Sequence, residues 1–161
     1  MNAEKIKTWL FTWNPSRFPW NDYEAGYHAT IQEIEQLGFS IMRWSCGNTK
    51  RIRANDQIYL IRIGCKNKGL VAKGIAVSDV FNGLHWDSDM ARKGKKVNRV
   101  FVRFESIVDL SNKPPLDLEI LRNLFPDVCW TPQASGITIP ESICSQLNNL
   151  WTKHLLPQTD E

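Results

Sequence analysis

The chain has 161 residues and a formal net charge of only +3, enough length for one core without disulfide staples. No apolar run approaches the ~20 residues of a membrane span, and the opening stretch Met1 to Lys7 lacks the apolar segment of a signal peptide. Cys46, Cys65, Cys129 and Cys144 form no C-x-x-C pair and have no histidine at ligand spacing, which argues against zinc and points to reduced thiols in a cytoplasmic protein.

The run Lys7–Asn14 is rich in aromatic and β-branched residues and predicts a central first strand, stopped by Asn14-Pro15. An aromatic loop, Ser16 to Trp20, leads to a helix over Tyr23–Leu37. Asn21 or Asp22 would cap it, Tyr27, Ile31 and Ile34 share one face, and Gly38 ends it. Phe39–Met42 is a short extended piece. Ala54-Asn55-Asp56 reads as a turn feeding a buried strand over Gln57–Ile63, and Gly64 to Gly69 is a hairpin connection. Leu70–Phe81 is a third long strand, whose Gly74 marks a bulge or a close backbone approach, and Asn82-Gly83 breaks it. His85-Trp86-Asp87 and the basic run Met90–Lys96 fall in loops. Val97–Val108 returns as a strand with apolar residues at 100, 102 and 104. A short helix near 117–124, a loop over Trp130–Gly136 and a terminal helix from Pro140 to His154 complete the chain. Hairpin-linked strands with helices early and late predict an α+β domain on a small curved or closed sheet, spanning residues 1–156 with a tail at 157–161.

Charge is segregated along the chain. Residues 43–103 carry 14 Lys and Arg against 4 Asp and Glu, while the rest carries 6 against 13, so a basic stripe suited to a polyanion lies in the middle. Within it, Arg43 to Arg53 combines a Trp, small hydrogen-bonding residues and a basic exit, the parts that hold one nucleobase and its phosphates. The duller reading makes Trp44 core and Lys50, Arg51 and Arg53 a solvated face. Asn14 could read a base edge or cap the first strand.

Enzyme motifs are lacking. The three histidines (28, 85 and 154) have neither metal nor triad spacing, and no phosphate-cradling glycine loop or Gly-x-Ser-x-Gly occurs. His85 and Asp87 are adjacent on an extended loop and would point apart. A peptide-binding aromatic groove is a third option, one that would not need the basic stripe.

The order Trp13-Asn14-Pro15…Trp20, Trp44-Ser45…Asn48…Ile52-Arg53…Asp56 to Leu60, Gly74 to Val77…His85-Trp86 and Gln133 to Gly136 resembles the EVE domain of the PUA-like superfamily. The nearest likeness is to the EVE-type modules that precede HNH nucleases in modification-dependent restriction systems, with a more distant one to YTH readers. The resemblance runs from about Trp9 to Trp151. It implies a PUA-like curved or closed β-barrel of about five to six strands with flanking helices. It also implies a non-enzymatic reader that flips a modified base (5-hydroxymethylcytosine, 5-methylcytosine or 6-methyladenine) from double-stranded DNA into an aromatic cage. RNA is the alternative partner, an associated or fused nuclease a further one, and no cofactor is needed. Carried onto this chain, Trp44 and Trp86 would be cage walls, with Trp20 beside them. Asn14, Ser45, Asn48, Asp87, Gln133 and Ser135 would serve the base and its loop, and Lys50, Arg51, Arg53, Arg92, Lys93, Lys95 and Lys96 the phosphates.

Overall fold

The computed structural model describes residues 5–18, 20, 26–84, 92–94 and 96–157. Its first strand, β1 (Thr8–Trp13), ends as expected at Asn14, whose carbonyl accepts from Arg17 N and Phe18 N at 3.0 and 2.9 Å. Helix α1 (Tyr27–Leu37) starts at an N-cap Gly26; Asn21 and Asp22 lie outside the described residues. Tyr27, Thr30 and Ile31 form its buried face. Gly38 closes it in the left-handed conformation (φ 86°), with its N–H bonded to Ile34 O.

Strands β2 (Ser40–Ser45), β3 (Gln57–Arg62) and β4 (Gly69–Ala76) follow. The turn ahead of β3 is built on Asp56, a buried carboxylate that accepts from Lys7 N, Arg53 N and Trp9 Nε1 at 3.1, 3.0 and 2.9 Å. Gly74 behaves as expected of a strand glycine. The β4–β6 register shifts beside it, and a Cβ there would stand 2.4 Å from Arg103 O.

The expected strand Leu70–Phe81 is in fact two. Beyond Ala76, Ser78 Oγ accepts from Phe101 N and Asp79 Oδ1 from Ala54 N, both at 3.0 Å, so side chains take backbone donors and the chain bends. Asn82-Gly83 then lies inside β5 (Phe81–Leu84) rather than ending a strand. The long β6 (Lys96–Ile107) pairs with β2 on one side, and with β5 and then β4 on the other. A two-residue β7 (Leu116–Asp117), α2 (Leu118–Leu124), β8 (Ile137–Ile139) and α3 (Glu141–Leu155) complete the order.

The result is an α+β fold on one mixed sheet of eight described strands, six of them in the order β2-β6-β4-β3-β1-β8, with β5 paired to β6 and β7 to β4 off that path. Only β1 and β3 are parallel. The sheet is open: among the described residues its edge strands β2 and β8 form no ladder with each other, so the expected closed barrel of five to six strands is not what the pairing forms. Short β8, bounded by Pro132 and Pro140, leaves too little regular backbone to close it.

Alternation along the strands feeds two cores. Trp9, Phe11 and Trp13 point to one, with Trp20, Trp44, Phe104 and α1. Leu10 and Tyr59 point to the other, where Trp130 and α3's Trp151 are buried. Trp9 and Trp151 are thus core.

Candidate functional site

The ladder fails at one place, and a cleft opens there. Strand β8 accompanies β1 only to Leu10↔Ile137, with Gly136 N bonded to Leu10 O at 2.9 Å. Two residues on, Thr12 turns its N–H and C=O to the same, now uncovered side. Its N–H donates to Ser135 Oγ at 2.9 Å, and its carbonyl accepts from Trp44 Nε1 at 3.1 Å. Side chains thus replace the departed strand and keep buried backbone groups paired. Beside them lies a cleft of about 690 Å³ between the end of β1, the end of β2 and the 132–135 loop.

Two glycines let the loops over this gap touch. Gly47 (φ +65°) sits so close to Ser135 that a Cβ would lie 2.6 Å from its carbonyl oxygen. Gly136 (φ +95°) would place a Cβ 2.4 Å from Cys46 O. Both positions therefore need glycine for space and for backbone conformation.

Of the candidate base contacts, Asn14, Trp44, Ser45, Gln133 and Ser135 all line the cleft, although they come from three separated stretches. Their roles differ in detail from the expected ones. Trp44 is 6% exposed and forms floor rather than a free-standing wall; Phe18 meets it edge-on at 5.6 Å and Trp20 packs beneath at 5.2 Å. Trp20 itself is core, because four aromatic neighbours surround it: Trp13 and Tyr27 at 5.3 and 5.0 Å, with Trp44 and Phe104. Asn14 ends the first strand in a local turn, its Oδ1 accepting from Ser16 N and Oγ, and the residue also lines the cleft. Ser135 spends its hydroxyl on β1. Asn48 is exposed in the adjoining turn and does not line the cleft. Trp86 and Asp87 lie outside the described residues.

The expected phosphate contacts are dispersed. Arg51 and Arg53 line a second cleft with Lys5 and Lys7, before the start of β1, about 20 Å of strand from the first. Arg51 rests over the Trp9 ring at 5.9 Å, and Arg53 donates to Lys50 O at 2.9 Å. Lys50 is exposed beside them, Arg92 and Lys93 are exposed ahead of β6, and Lys95 lies outside the described residues. Lys96 opens β6.

The cations at the cleft are instead Arg17, Arg43 and Arg99. Arg43 and Arg99 stand on adjacent strands, since Ser45 pairs with Arg99 and Arg43 with Phe101. Arg99 is buried, and desolvation followed by the like charge of Arg43 lowers its pKa. The outward face beyond carries Phe81 stacked on Phe101 at 5.1 Å and exposed Arg103 over Phe39 at 4.6 Å, aromatic rings interleaved with guanidinium groups. Sequence reading missed this set, although its signal was present. With 100, 102 and 104 facing the core, a period of two turns 99, 101 and 103 outward.

Chemically the cleft offers hydrogen bonds, aromatic surface and positive charge. Its described lining contains no carboxylate, histidine or cysteine. Nearby Cys46 is buried, and desolvation pushes its thiol up to about 11, so it stays protonated and poorly nucleophilic at neutral pH. Among the described residues, no three His, Cys, Asp or Glu side chains gather to hold a metal. No helix among them is long and apolar enough to cross a membrane.

Neither a family model nor a curated protein matches the chain. Two solved structures share its architecture. A hypothetical protein from Leishmania major aligns with a TM-score of 0.59 and 14% identity, over 94% of this chain and 99% of that one. Protein PSPTO5229 from Pseudomonas syringae aligns with a TM-score of 0.60 and 16% identity, over 89% of this chain and 98% of that one. At such identities the likeness concerns the fold alone.

Proposed function

We propose that this chain is a recognition module that takes one extruded, modified nucleobase into the cleft at the end of β1, with double-stranded DNA as its partner. One observation carries the reading: Asn14, Trp44, Ser45, Gln133 and Ser135, distant in sequence, converge on one cleft edged by three arginines. The finer architecture we assign is PUA-like. Contacts between the loop after β2 and the loop before β8 support it, because they bring the two edges of the open sheet together beside the cleft.

The energetics suit the task. Extruding a base costs a few kcal/mol, and an aromatic contact returns roughly 1–3 kcal/mol per base. Phe18 and Trp44, set edge-to-face at 5.6 Å, are the aromatic surface available to such a base. Discrimination of a hydroxymethyl from a methyl group would fall to polar groups, since a site built to bond a hydroxyl rejects its absence strongly. Ser45 and the amide groups of Asn14 and Gln133 are the candidates.

The test is a tryptophan-fluorescence titration against matched duplexes bearing cytosine, 5-methylcytosine, 5-hydroxymethylcytosine, adenine or 6-methyladenine, at two salt concentrations. Quenching by one modified duplex, in clear preference to its unmodified match, is the expected result. Equal binding to all, lost at higher salt, would leave only a basic surface. Binding confined to modified RNA would move the partner to the alternative class.

A further inference from the structure

Among the described residues, Arg99 brings the cleft a charge that no carboxylate of the lining offsets. Arg99 is only 7% exposed, and its Nε has no hydrogen-bond partner among the described residues. Buried guanidinium groups are ordinarily paired, because desolvating a lone charge is costly. Here the neighbouring charge is Arg43, of the same sign, and the described lining includes no carboxylate to offset either. The side chain is also held in place. Its stem crosses Gly83 of β5, where a Cβ would stand 3.0 Å from Arg99 Cδ and 3.4 Å from Nε. A glycine that makes room for an arginine stem, and an arginine that then faces a cleft, describe a built site rather than a solvated surface.

We propose that Arg99, assisted by Arg43, is an oxyanion subsite inside the cleft, taking either the phosphate of the bound nucleotide or a carboxylate carried on its base. The planar fork of a guanidinium matches both oxyanions in a bidentate geometry, and charge-assisted bonds formed out of water are the strong ones. The inference rests on the base-binding reading only for what carries the oxyanion. It makes the ligand a nucleotide or an acidic base rather than a neutral nucleoside, and it explains the like-charged pair Arg43 and Arg99 on adjacent strands, which an anion bound beside both would relieve.

The experiment is an NMR titration of ¹⁵N-labelled protein that follows arginine Nε–H resonances, with Arg99 assigned by Arg99→Lys. The probes are inorganic phosphate, deoxycytidine, deoxycytidine 5′-monophosphate and 5-carboxydeoxycytidine. The expected result is a shift of the Arg99 resonance with phosphate, and binding of the charged nucleotides about tenfold or more tighter than deoxycytidine. Arg99→Gln should abolish that difference, and Arg99→Lys should restore it in part. Preference for the monophosphate would identify a backbone phosphate, and preference for the carboxylated nucleoside a carboxylate on the base. An unmoved Arg99 resonance with equal affinity for charged and neutral probes overturns the proposal. The wild-type titration decides this even where Arg99→Gln fails to fold. A modified duplex that is preferred equally by wild type and Arg99→Gln removes the subsite and spares the base reader. Phosphate binding at Arg99 without any duplex preference does the reverse.

Discussion

At the scale of single residues, Trp44 belongs at once to the core and to the cleft, and Cys46 is a core residue beside it. Trp44 bonds the Thr12 carbonyl, so truncating it to alanine would damage packing as well as recognition, by about 3–5 kcal/mol. Trp44→Phe keeps most of the ring and removes the N–H. We expect it to remain folded while losing most of the preference for a modified duplex over its match; an unchanged ratio of affinities would take Trp44 out of recognition. Cys46 yields a pH signature. Its folded value, about 11 against 9.0 for an ordinary thiol, is raised. The stability of the neutral thiol is therefore complete below pH 9 and is lost as pH climbs through 9 towards 11, on the order of 2–3 kcal/mol. Buried Tyr27 and Tyr59 are raised further and steepen the same decline above pH 10. Denaturant midpoints measured from pH 8 upward should fall, and Cys46→Ala should fall less.

Among elements, the junction of the β2 and β8 loops decides whether there is a cleft at all. Gly38 and Gly136 make a controlled comparison. Both have positive φ, but a Cβ at Gly38 meets nothing within 4 Å, whereas one at Gly136 meets Cys46 O at 2.4 Å. Gly38→Ala should cost about 1 kcal/mol from backbone conformation alone. Gly136→Ala should cost clearly more in a urea titration and also weaken ligand binding, which Gly38→Ala should leave intact. Equal costs would mean that the loop contact gives way easily. This junction also shows where sequence reading reaches its limit. Strands β1, β3 and β6 and helices α1 and α3 were legible from alternation, helical spacing and punctuating Asn, Pro and Gly, all of which are local signals. Convergence of Trp44 and Ser135 on one carbonyl and one N–H of Thr12 is not local, so the candidates could be named but not their purposes. The break at Ala76 was hidden for a related reason. Ser78 and Asp79 bend the chain only because Phe101 and Ala54 supply donors from other strands.

For the whole molecule, the fold sorts the basic stripe into two populations that one-dimensional charge counting merges. Arg43 and Arg103 share the outward sheet face with the Phe81–Phe101 pair, while Arg51 and Arg53 sit at the far end of β1. Arg43→Ala and Arg103→Ala should each weaken duplexes and reduce the salt slope by about 1. Arg51→Ala and Arg53→Ala should leave that slope nearly unchanged. The opposite pattern would put the polyanion path on the other cleft.

The bond from Thr12 to Ser135 spans a sequence separation of 123 residues. Because so much chain must be gathered before that bond can form, the recognition cleft should mature late in folding, after the local hairpin of β3 and β4. The same topology makes the 131–136 loop ahead of β8 a latch whose opening need not melt either core, because Ile139 of β8 itself stays in the second one. A ligand seated against both sides would hold that latch shut, so occupancy should register as slowed amide exchange at Thr12 before it registers as any rise in global stability.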